Sequence, residues 1–338
     1  QASCNQQHQA TIPYSRAEVL APIARNSATM ASNGGLRAYT HGHAKAVVNH
    51  HAKRTAEDFA CRTLPFLSGC SSVLDVGCGP GSITLGFAKY LSPGGRLVGV
   101  DLSREALEMA REACHQKFQG VAPPVDISFR EADLYRLPFA DGEFDLVHAH
   151  QVLQHVTEPV RALREMARVS RRYVSVREVD FGSWRWAPHE AGMDRWLEVY
   201  MKVCRSNGAE PCAGLHIKRW MREAGLASSS STVSAWTDTV NYASRERTRE
   251  LGATWAERVS ATKLAEQAVE FGHCSREETL EMAAAWRSWG EHEDALLYYT
   301  DVAVVADTQR PLPQHGDEAA AEAAVKRPRR SGGDGEEG

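Results

Sequence analysis

Short apolar runs alternate with amphipathic segments along the middle of this chain, from about residue 73 to residue 180. Val73, Leu74 and Val76 form an apolar run that glycines end, which is typical of a strand buried on both faces of a parallel sheet. Behind this run, apolar residues recur at helical spacing as far as a turn at Ser92–Gly95. The repeated alternation predicts an α/β fold built on a doubly wound parallel sheet.

The remaining elements are predicted from the same two patterns, a short apolar run for a strand and apolar residues at helical spacing for a helix. Before residue 180, strand-like segments lie at Arg96–Asp101, Phe129–Leu134, Phe144–Gln151 and Tyr173–Val179, and helices at Ser103–Phe118 and Glu158–Val169. Beyond it, helices are predicted around Met193–Cys204 and at Leu215–Ala224, Arg245–Phe271 and Arg276–Trp289, with strands at Thr232–Val240 and Leu296–Val305.

The two ends of the chain differ from the middle in composition. Residues 1–15 have few apolar side chains and residues 306–338 have no aromatic ones, so we expect both to be disordered. Residues 16–68 are expected to form a helical lid with a long helix from His43 to Leu67. The basic run Lys326–Arg330 is either a nuclear import signal or a solvated run of charge, and the protein is otherwise expected to be cytoplasmic.

Charge and cysteine content argue against several classes of protein. The chain has 39 basic and 43 acidic residues among 338, so no overall basic field favours nucleic acid, and a small-molecule substrate is expected. No apolar run approaches the roughly 18 residues that span a bilayer. The eight cysteines include no Cys-x-x-Cys pair, and the histidine cluster at residues 41–51 lacks the spacing of a metal site, so no metal is expected. The oligomeric state stays open.

Three glycines, Gly77, Gly79 and Gly81, separate the first strand from its helix and allow the backbone to approach a ligand closely. A dinucleotide-binding turn needs a glycine at the sixth position, but the sixth residue counted from Gly77 is Ser82. Asp75 would repel a pyrophosphate, whereas a carboxylate accepts hydrogen bonds from a cationic ammonium group. The spacing therefore disfavours a dinucleotide cofactor.

The segment Leu74–Gly81 resembles the first motif of the class I S-adenosylmethionine-dependent methyltransferases. Asp101 follows Gly81 by twenty residues, where a carboxylate at a strand end meets a ribose diol in such folds. Its alternative role is to cap a helix beside Ser103. Residues 144–151 resemble the later motif of the family, which lies behind the methyl group.

This resemblance implies a seven-stranded Rossmann-like methyltransferase sheet whose last strand is antiparallel, with helical caps inserted around it. Residues 69–180 would form the cofactor-binding core, and residues 181–305 the substrate-binding cap helices together with the last two strands. The resemblance implies S-adenosylmethionine as the cofactor. Its binding residues would be Asp75, Gly77 and Gly79 for the methionine portion, Asp101 for the ribose, Asp133 and Leu134 for the adenine, and His150 and Gln151 beside the methyl group. Gly81 and Leu102 are further cofactor-binding residues.

Methyl transfer needs an oriented acceptor, and it needs a base only if the acceptor must lose a proton. The candidate bases are His155, just past the fourth strand, and Glu178 or Asp180 at the end of the fifth. His155 and Glu178 each have a purely structural role as the alternative. All eight tryptophans lie beyond residue 180, and Trp184 and Trp186 are candidate substrate contacts together with Arg54 of the lid. The alternatives are that the tryptophans form the packing core and that Arg54 lies on a solvated helix face.

Three functions compete on these observations. The resemblance is to the branch that modifies quinones and secondary metabolites, which favours a small, planar or apolar acceptor. A methyltransferase acting on protein or RNA is the second possibility, but the residues from His150 to Leu153 lack the Asn-Pro-Pro-Tyr type of motif. A non-catalytic regulator that binds the cofactor is the third, and nothing in the sequence excludes it.

Overall fold

Seven strands form one sheet in residues 52–227 and 232–308, the part of the chain that this computed structural model describes. Their order across the sheet is β3-β2-β1-β4-β5-β7-β6. The strands are β1 (Ser72–Val76), β2 (Arg96–Asp101), β3 (Asp126–Glu131), β4 (Phe144–His150), β5 (Ser170–Ala187), β6 (Thr232–Tyr242) and β7 (Leu296–Asp307). Strands β1 to β5 pair in parallel, and β7 is antiparallel to both of its neighbours. The predicted seven-stranded sheet with an antiparallel last strand is confirmed.

The helices connect the strands and cover the sheet. They are α1 (Ala56–Phe59), α2 (Ser82–Phe87), α3 (Arg104–Lys117), α4 (Pro159–Val169), α5 (Ala191–Ser206), α6 (Ile217–Glu223), α7 (Arg245–Ala261), α8 (Lys263–Glu270) and α9 (Arg276–Glu291). Short 3-10 helices lie at Leu64–Leu67, Leu153–His155 and Ala213–Leu215.

The carboxyl ends of the parallel strands meet at one edge of the sheet. Val76, the last residue of β1, pairs with Val100 of β2 and with Ala149 of β4. His150, the last residue of β4, pairs with Arg177 of β5. Because ligands bind outside the carboxyl ends of strands in open α/β sheets, this edge is where we look for a functional site.

Strand β5 is longer than predicted. We expected it to end at Val179 and to be followed by a cap insertion, but it continues to Ala187 after an irregularity in its register between Asp180 and Arg185. The long antiparallel strand β7 supplies partners for this extension, since Ala187 pairs with Leu296. Residues 181–187 therefore belong to the sheet, and the helical insertion begins with α5.

Two predicted helices are interrupted. Within the described part of the His43–Leu67 segment, the helix that includes Ala52 stops there, and Thr55 caps the new helix α1 by accepting from the Asp58 amide; a 3-10 turn follows. The predicted helix Arg245–Phe271 is two helices, α7 and α8, separated at Thr262. Thr262 is extended and its hydroxyl accepts from the Leu264 amide at 3.3 Å, so it starts the second helix.

The sequence places the start of the disordered tail at residue 306, which is too early. Ala306 and Asp307 belong to β7, where Arg172 donates two hydrogen bonds to the Asp307 carboxylate at 2.9 and 3.1 Å. Residues 1–51, 228–231 and 309–338, which include the expected disordered start, most of the lid and the basic run Lys326–Arg330, lie outside the described residues. Among the described residues, no helix combines the length and apolarity needed to cross a membrane, and no cluster of metal-binding side chains occurs.

Candidate functional site

The glycine turn after β1 has a backbone that only glycine adopts readily. Gly77 and Gly81 have φ angles of 69° and 76°. A Cβ atom on Gly77 would collide with the Val152 side chain, and one on Gly81 would lie 2.9 Å from the Ala110 Cβ atom. The amide nitrogens of Gly77 and Cys78 donate to the Val100 carbonyl at 2.7 and 3.0 Å, which ties the turn to the end of β2.

Asp101, at the end of β2, is held in place by two backbone amides. Gly79 donates to its Oδ2 atom and Ser103 to its Oδ1 atom, both at 2.9 Å. The Ser103 hydroxyl accepts from the Ala106 amide at 3.2 Å, so Ser103 itself caps α3. Each Asp101 oxygen keeps a further lone pair. A half-buried carboxylate with remaining acceptor capacity fits a vicinal diol.

Asp75 lies inside the sheet. It is 3% exposed, and the Thr84 hydroxyl donates a short hydrogen bond to its carboxylate. Burial raises the pKa of Asp75 to about 7, while the bond from Thr84 acts in the opposite direction. Asp75 is therefore partly protonated near neutral pH, and it supports the turn from behind.

The side of the site beyond β2 and β3 combines an apolar and a polar group. Leu102 is 45% exposed, which is unusual for a leucine beside a buried strand. Asp133 is exposed and accepts from the Tyr135 amide at 2.8 Å, whereas Leu134 is buried. An exposed apolar surface beside an acceptor fits a flat heterocyclic ring with an amino edge.

The loop after β4 has a strained start. Gln151 has a φ of 54°, the only positive value at a non-glycine residue in the described chain, and its amide donates to the Arg177 carbonyl at 2.7 Å. Such strain persists where the surroundings hold it, and it often marks a functional loop. His150, just before it, is 9% exposed and packs on Phe59 with ring centres 5.8 Å apart.

Glu178, a candidate base, faces the backbone of this loop. It is fully buried and accepts from the amides of Val152 at 2.9 Å, Leu153 at 2.7 Å and Gln154 at 3.3 Å. Burial raises the pKa of Glu178 to about 8, against the influence of the three amides. Its oxygens are thus occupied in holding the loop.

The histidines near the end of β4 are neutral at physiological pH. Burial lowers the pKa of His155, the other candidate base, to about 3, with further lowering by the charges of Arg258 and Arg54. Burial and then Arg54 and Arg177 place the pKa of His150 well below its usual range. Neither ring therefore holds a proton readily near neutral pH.

Aromatic side chains from the extension of β5 pack together with rings from the helices that follow it and from β7. Trp184 is 4% exposed and stacks between Phe181 at 4.9 Å and Tyr299 at 4.6 Å, and Trp186 is half-buried. We call the following group the aromatic cluster: Phe181, Trp184, Trp186, Trp196, Tyr200, Tyr242, Trp255, Trp286, Trp289 and Tyr299. Most of these rings are used in packing one another, as the alternative interpretation of the tryptophans proposed.

Arg54 reaches the same region from the segment before α1. Its guanidinium carbon lies 5.4 Å from the centre of the Phe59 ring, so Arg54 and His150 contact the same aromatic side chain. The positive charge of Arg54 lowers the pKa of Tyr242 and Tyr299, although burial raises both overall. The structure therefore brings Arg54, His150 and His155 together with two members of the aromatic cluster.

A buried ion pair beside this region was not predicted. Arg177 donates from Nε to Asp301 at 3.0 Å and from Nη1 to the Asp58 carbonyl at 3.2 Å. The sequence signal was a charged residue in each of two apolar strands, Arg177 in β5 and Asp301 in β7. This pair connects the centre of the sheet to α1.

The chain is similar to known methyltransferases over most of its length. A family profile described as a methyltransferase domain matches residues 74–173. An uncharacterised methyltransferase of Schizosaccharomyces pombe is 32% identical over 79% of this chain and 95% of that protein. A probable methyltransferase of Aspergillus luteorubrus is 30% identical over the same shares, 79% and 95%. A 2-phytyl-1,4-naphtoquinone methyltransferase of Trichormus variabilis is 35% identical over 32% of this chain and 45% of that protein.

Proposed function

Because the chain belongs to the class I S-adenosylmethionine-dependent methyltransferases, we propose that it methylates a small, planar or apolar metabolite. The observation that carries the choice of acceptor is the surrounding of His150. At the carboxyl end of β4, His150 packs on Phe59, and Arg54 lies over the same ring. An enclosed aromatic surface suits a flat molecule, because each ring offers a large apolar face at a low cost in entropy.

The cofactor supplies an electrophilic methyl group on a sulfonium. Around it we assign Gly77, Gly79 and Gly81 to the methionine portion and Asp101 to the ribose hydroxyls, since its carboxylate retains acceptor capacity. Leu102 and Leu134, with Asp133, are assigned to the adenine. His150 and Gln151 would lie beside the methyl group. Asp75 supports the glycine turn through Thr84 and its burial.

The residues near the methyl position are suited to orienting an acceptor. Well-aligned reactants recover roughly 7–11 kcal/mol of a barrier, so a displacement of this kind needs few dedicated groups. We assign Glu178 a positioning role, because it holds the loop from Val152 to Gln154 through its carboxylate. His155, whose pKa is lowered to about 3, is a weak base at neutral pH.

Two further observations favour a small acceptor over a macromolecule. The chain has no excess of basic residues, with 39 against 43 acidic ones. The quinone methyltransferase of Trichormus variabilis, similar over part of the chain, acts on a small planar ring system according to its name. A regulator that binds the cofactor without turnover is the remaining alternative.

The proposed function is tested by incubating the protein with S-adenosylmethionine labelled in its methyl group and with fractionated cell extract. We expect label in the small-molecule fraction. Label in protein or RNA would contradict the choice of acceptor, and tight cofactor binding without any turnover would support the regulator.

Asp101→Ala provides the control for the cofactor assignment. We expect it to weaken cofactor binding by at least about 1.5 kcal/mol in calorimetry, the low end for a hydrogen bond to a charged group. Unchanged affinity in a folded variant would contradict the assignment of the ribose to Asp101. Glu223→Gln, an exposed substitution on α6, should leave the affinity unchanged.

A further inference from the structure

Arg54 carries a charge that the described residues do not neutralise. Its Nε atom is buried, yet no group among the described residues accepts a hydrogen bond from it, and none of their carboxylates forms an ion pair with it. A buried donor of a charged group that is left unpaired is destabilising, because it loses its hydrogen bonds to water without replacing them. A group from outside this set of residues is therefore expected to accept from Arg54.

The nearby acids are already engaged. Asp301 is within electrostatic reach of Arg54, but its carboxylate accepts from Arg177 at 3.0 Å. Asp238, which acts electrostatically on Asp301, accepts from Arg62 at 2.6 and 3.0 Å. No ion pair joins either carboxylate to Arg54 among the described residues, although the Asp301 Oδ1 atom is buried there without a hydrogen-bond partner.

The other neighbours of Arg54 are an aromatic ring and further arginines. Its guanidinium lies over Phe59, which also contacts His150. The guanidinium carbon of Arg258 lies 4.8 Å from the centre of the Trp255 ring. Arg258 and Arg54 both act electrostatically on His155 and on Tyr242. Two cations thus act on one aromatic region beside the end of β4. This arrangement attracts an anionic group attached to a flat ring.

Chemistry at this site points in the same direction. A hydroxyl or carboxyl acceptor reacts best after losing its proton, but neither His150 nor His155 has a pKa near neutral, and Glu178 is engaged with three amides. A fixed cation beside the acceptor favours its deprotonated form, which removes the need for a base in the site.

Resting on the proposed function, we propose that the acceptor is an aromatic compound with an anionic oxygen, a carboxylate or an ionised phenol, which Arg54 binds. A planar guanidinium accommodates either oxygen group. The proposal names the class of acceptor, and it leaves the position of the methylated atom to experiment.

The test compares two ligands of matched shape and different charge, 2-naphthoate and 2-naphthamide, by calorimetry on protein saturated with S-adenosylhomocysteine. We expect naphthoate to bind at least about tenfold more tightly than the amide, as a charged hydrogen bond provides. In Arg54→Gln this preference should disappear, and in Arg54→Lys part of it should remain. A third ligand, 4-nitrophenol above and below its own pKa, distinguishes a phenolate site from a carboxylate site.

Arg287→Gln, an exposed arginine on α9, is the matched control and should keep the full preference. Equal affinity for naphthoate and naphthamide in the unsubstituted protein, or a preference that persists in Arg54→Gln, would overturn the proposal. Unchanged binding of S-adenosylhomocysteine shows that each variant is folded. If the unsubstituted protein does not bind S-adenosylhomocysteine at all, the proposed function is contradicted. The preference for naphthoate, measured without S-adenosylhomocysteine, would then still decide this inference.

Discussion

Substitutions of Glu178 distinguish a positioning role from that of a base. Its Oε1 atom accepts from Val152 and Leu153 at 2.9 and 2.7 Å, and its Oε2 atom accepts from Gln154 at 3.3 Å. Glutamine keeps an oxygen for the first two amides and loses only the longest bond. We therefore expect Glu178→Gln to lower the free energy of unfolding by about 1–3 kcal/mol, the cost of one buried amide left unpaired.

Alanine at the same position removes all three acceptors. Each buried amide left unpaired costs about 1–3 kcal/mol, so we expect Glu178→Ala to lose at least about 3 kcal/mol. Urea denaturation at pH 7 measures both losses. The exposed substitution Glu223→Gln, whose ion pair with Arg219 is 3.8 Å long, should change stability by less than about 0.5 kcal/mol.

Turnover gives the second readout. If Glu178 only positions the loop, Glu178→Gln should retain most of kcat, because the loop is still held by two amides. A general base contributes about 10²–10⁴-fold in rate. A Glu178→Gln variant that loses only the stability of one unpaired amide, yet has a kcat lowered by a hundredfold or more, would refute our reasoning and show that Glu178 transfers a proton.

Two further predictions concern buried charge. Arg177→Met leaves Asp301 buried without its partner and should cost about 3–5 kcal/mol in urea denaturation, whereas Arg104→Met, in an exposed pair, should cost less than about 1 kcal/mol; similar losses would contradict the ranking. Burial lowers the pKa of His148 from 6.5 to about 3, so between these values the unfolded chain binds more protons and stability rises with pH. From pH 7 to pH 5 this should cost about 2 kcal/mol, and the loss should be smaller by that amount in His148→Gln; an equal loss in both proteins would show that His148 does not titrate in this way.

The parallel half of the sheet was predictable because its signals are local. The apolar run of β1, the glycine turn and the acid at Asp101 lie within one strand–helix–strand unit, and each element reports its own burial pattern. The extension of β5 was missed, since Gly182 and Ser183 interrupt its apolar pattern. Its partner β7 comes much later in the chain, and only tertiary pairing keeps these residues extended.

Contacts between distant segments were beyond the sequence pattern. Arg177 and Asp301 are 124 residues apart, and neither spacing nor composition shows that they pair. The occupied carboxylate of Glu178 could not be foreseen either, because its partners are backbone amides, which have no sequence signature. The interrupted helices, by contrast, had a signal in Thr55 and Thr262, which are favourable first residues of helices.

The uneven distribution of tryptophan determines which part of this protein its intrinsic fluorescence monitors. Residues 52–180 contain none, while six of the eight tryptophans lie in the aromatic cluster. Ultraviolet emission therefore follows the loosening of the cluster and is insensitive to the glycine turn and Asp101. If emission and far-ultraviolet circular dichroism change together during denaturation, the two halves unfold as one cooperative unit. If emission changes first, the aromatic cluster loosens while the rest of the described chain keeps its secondary structure.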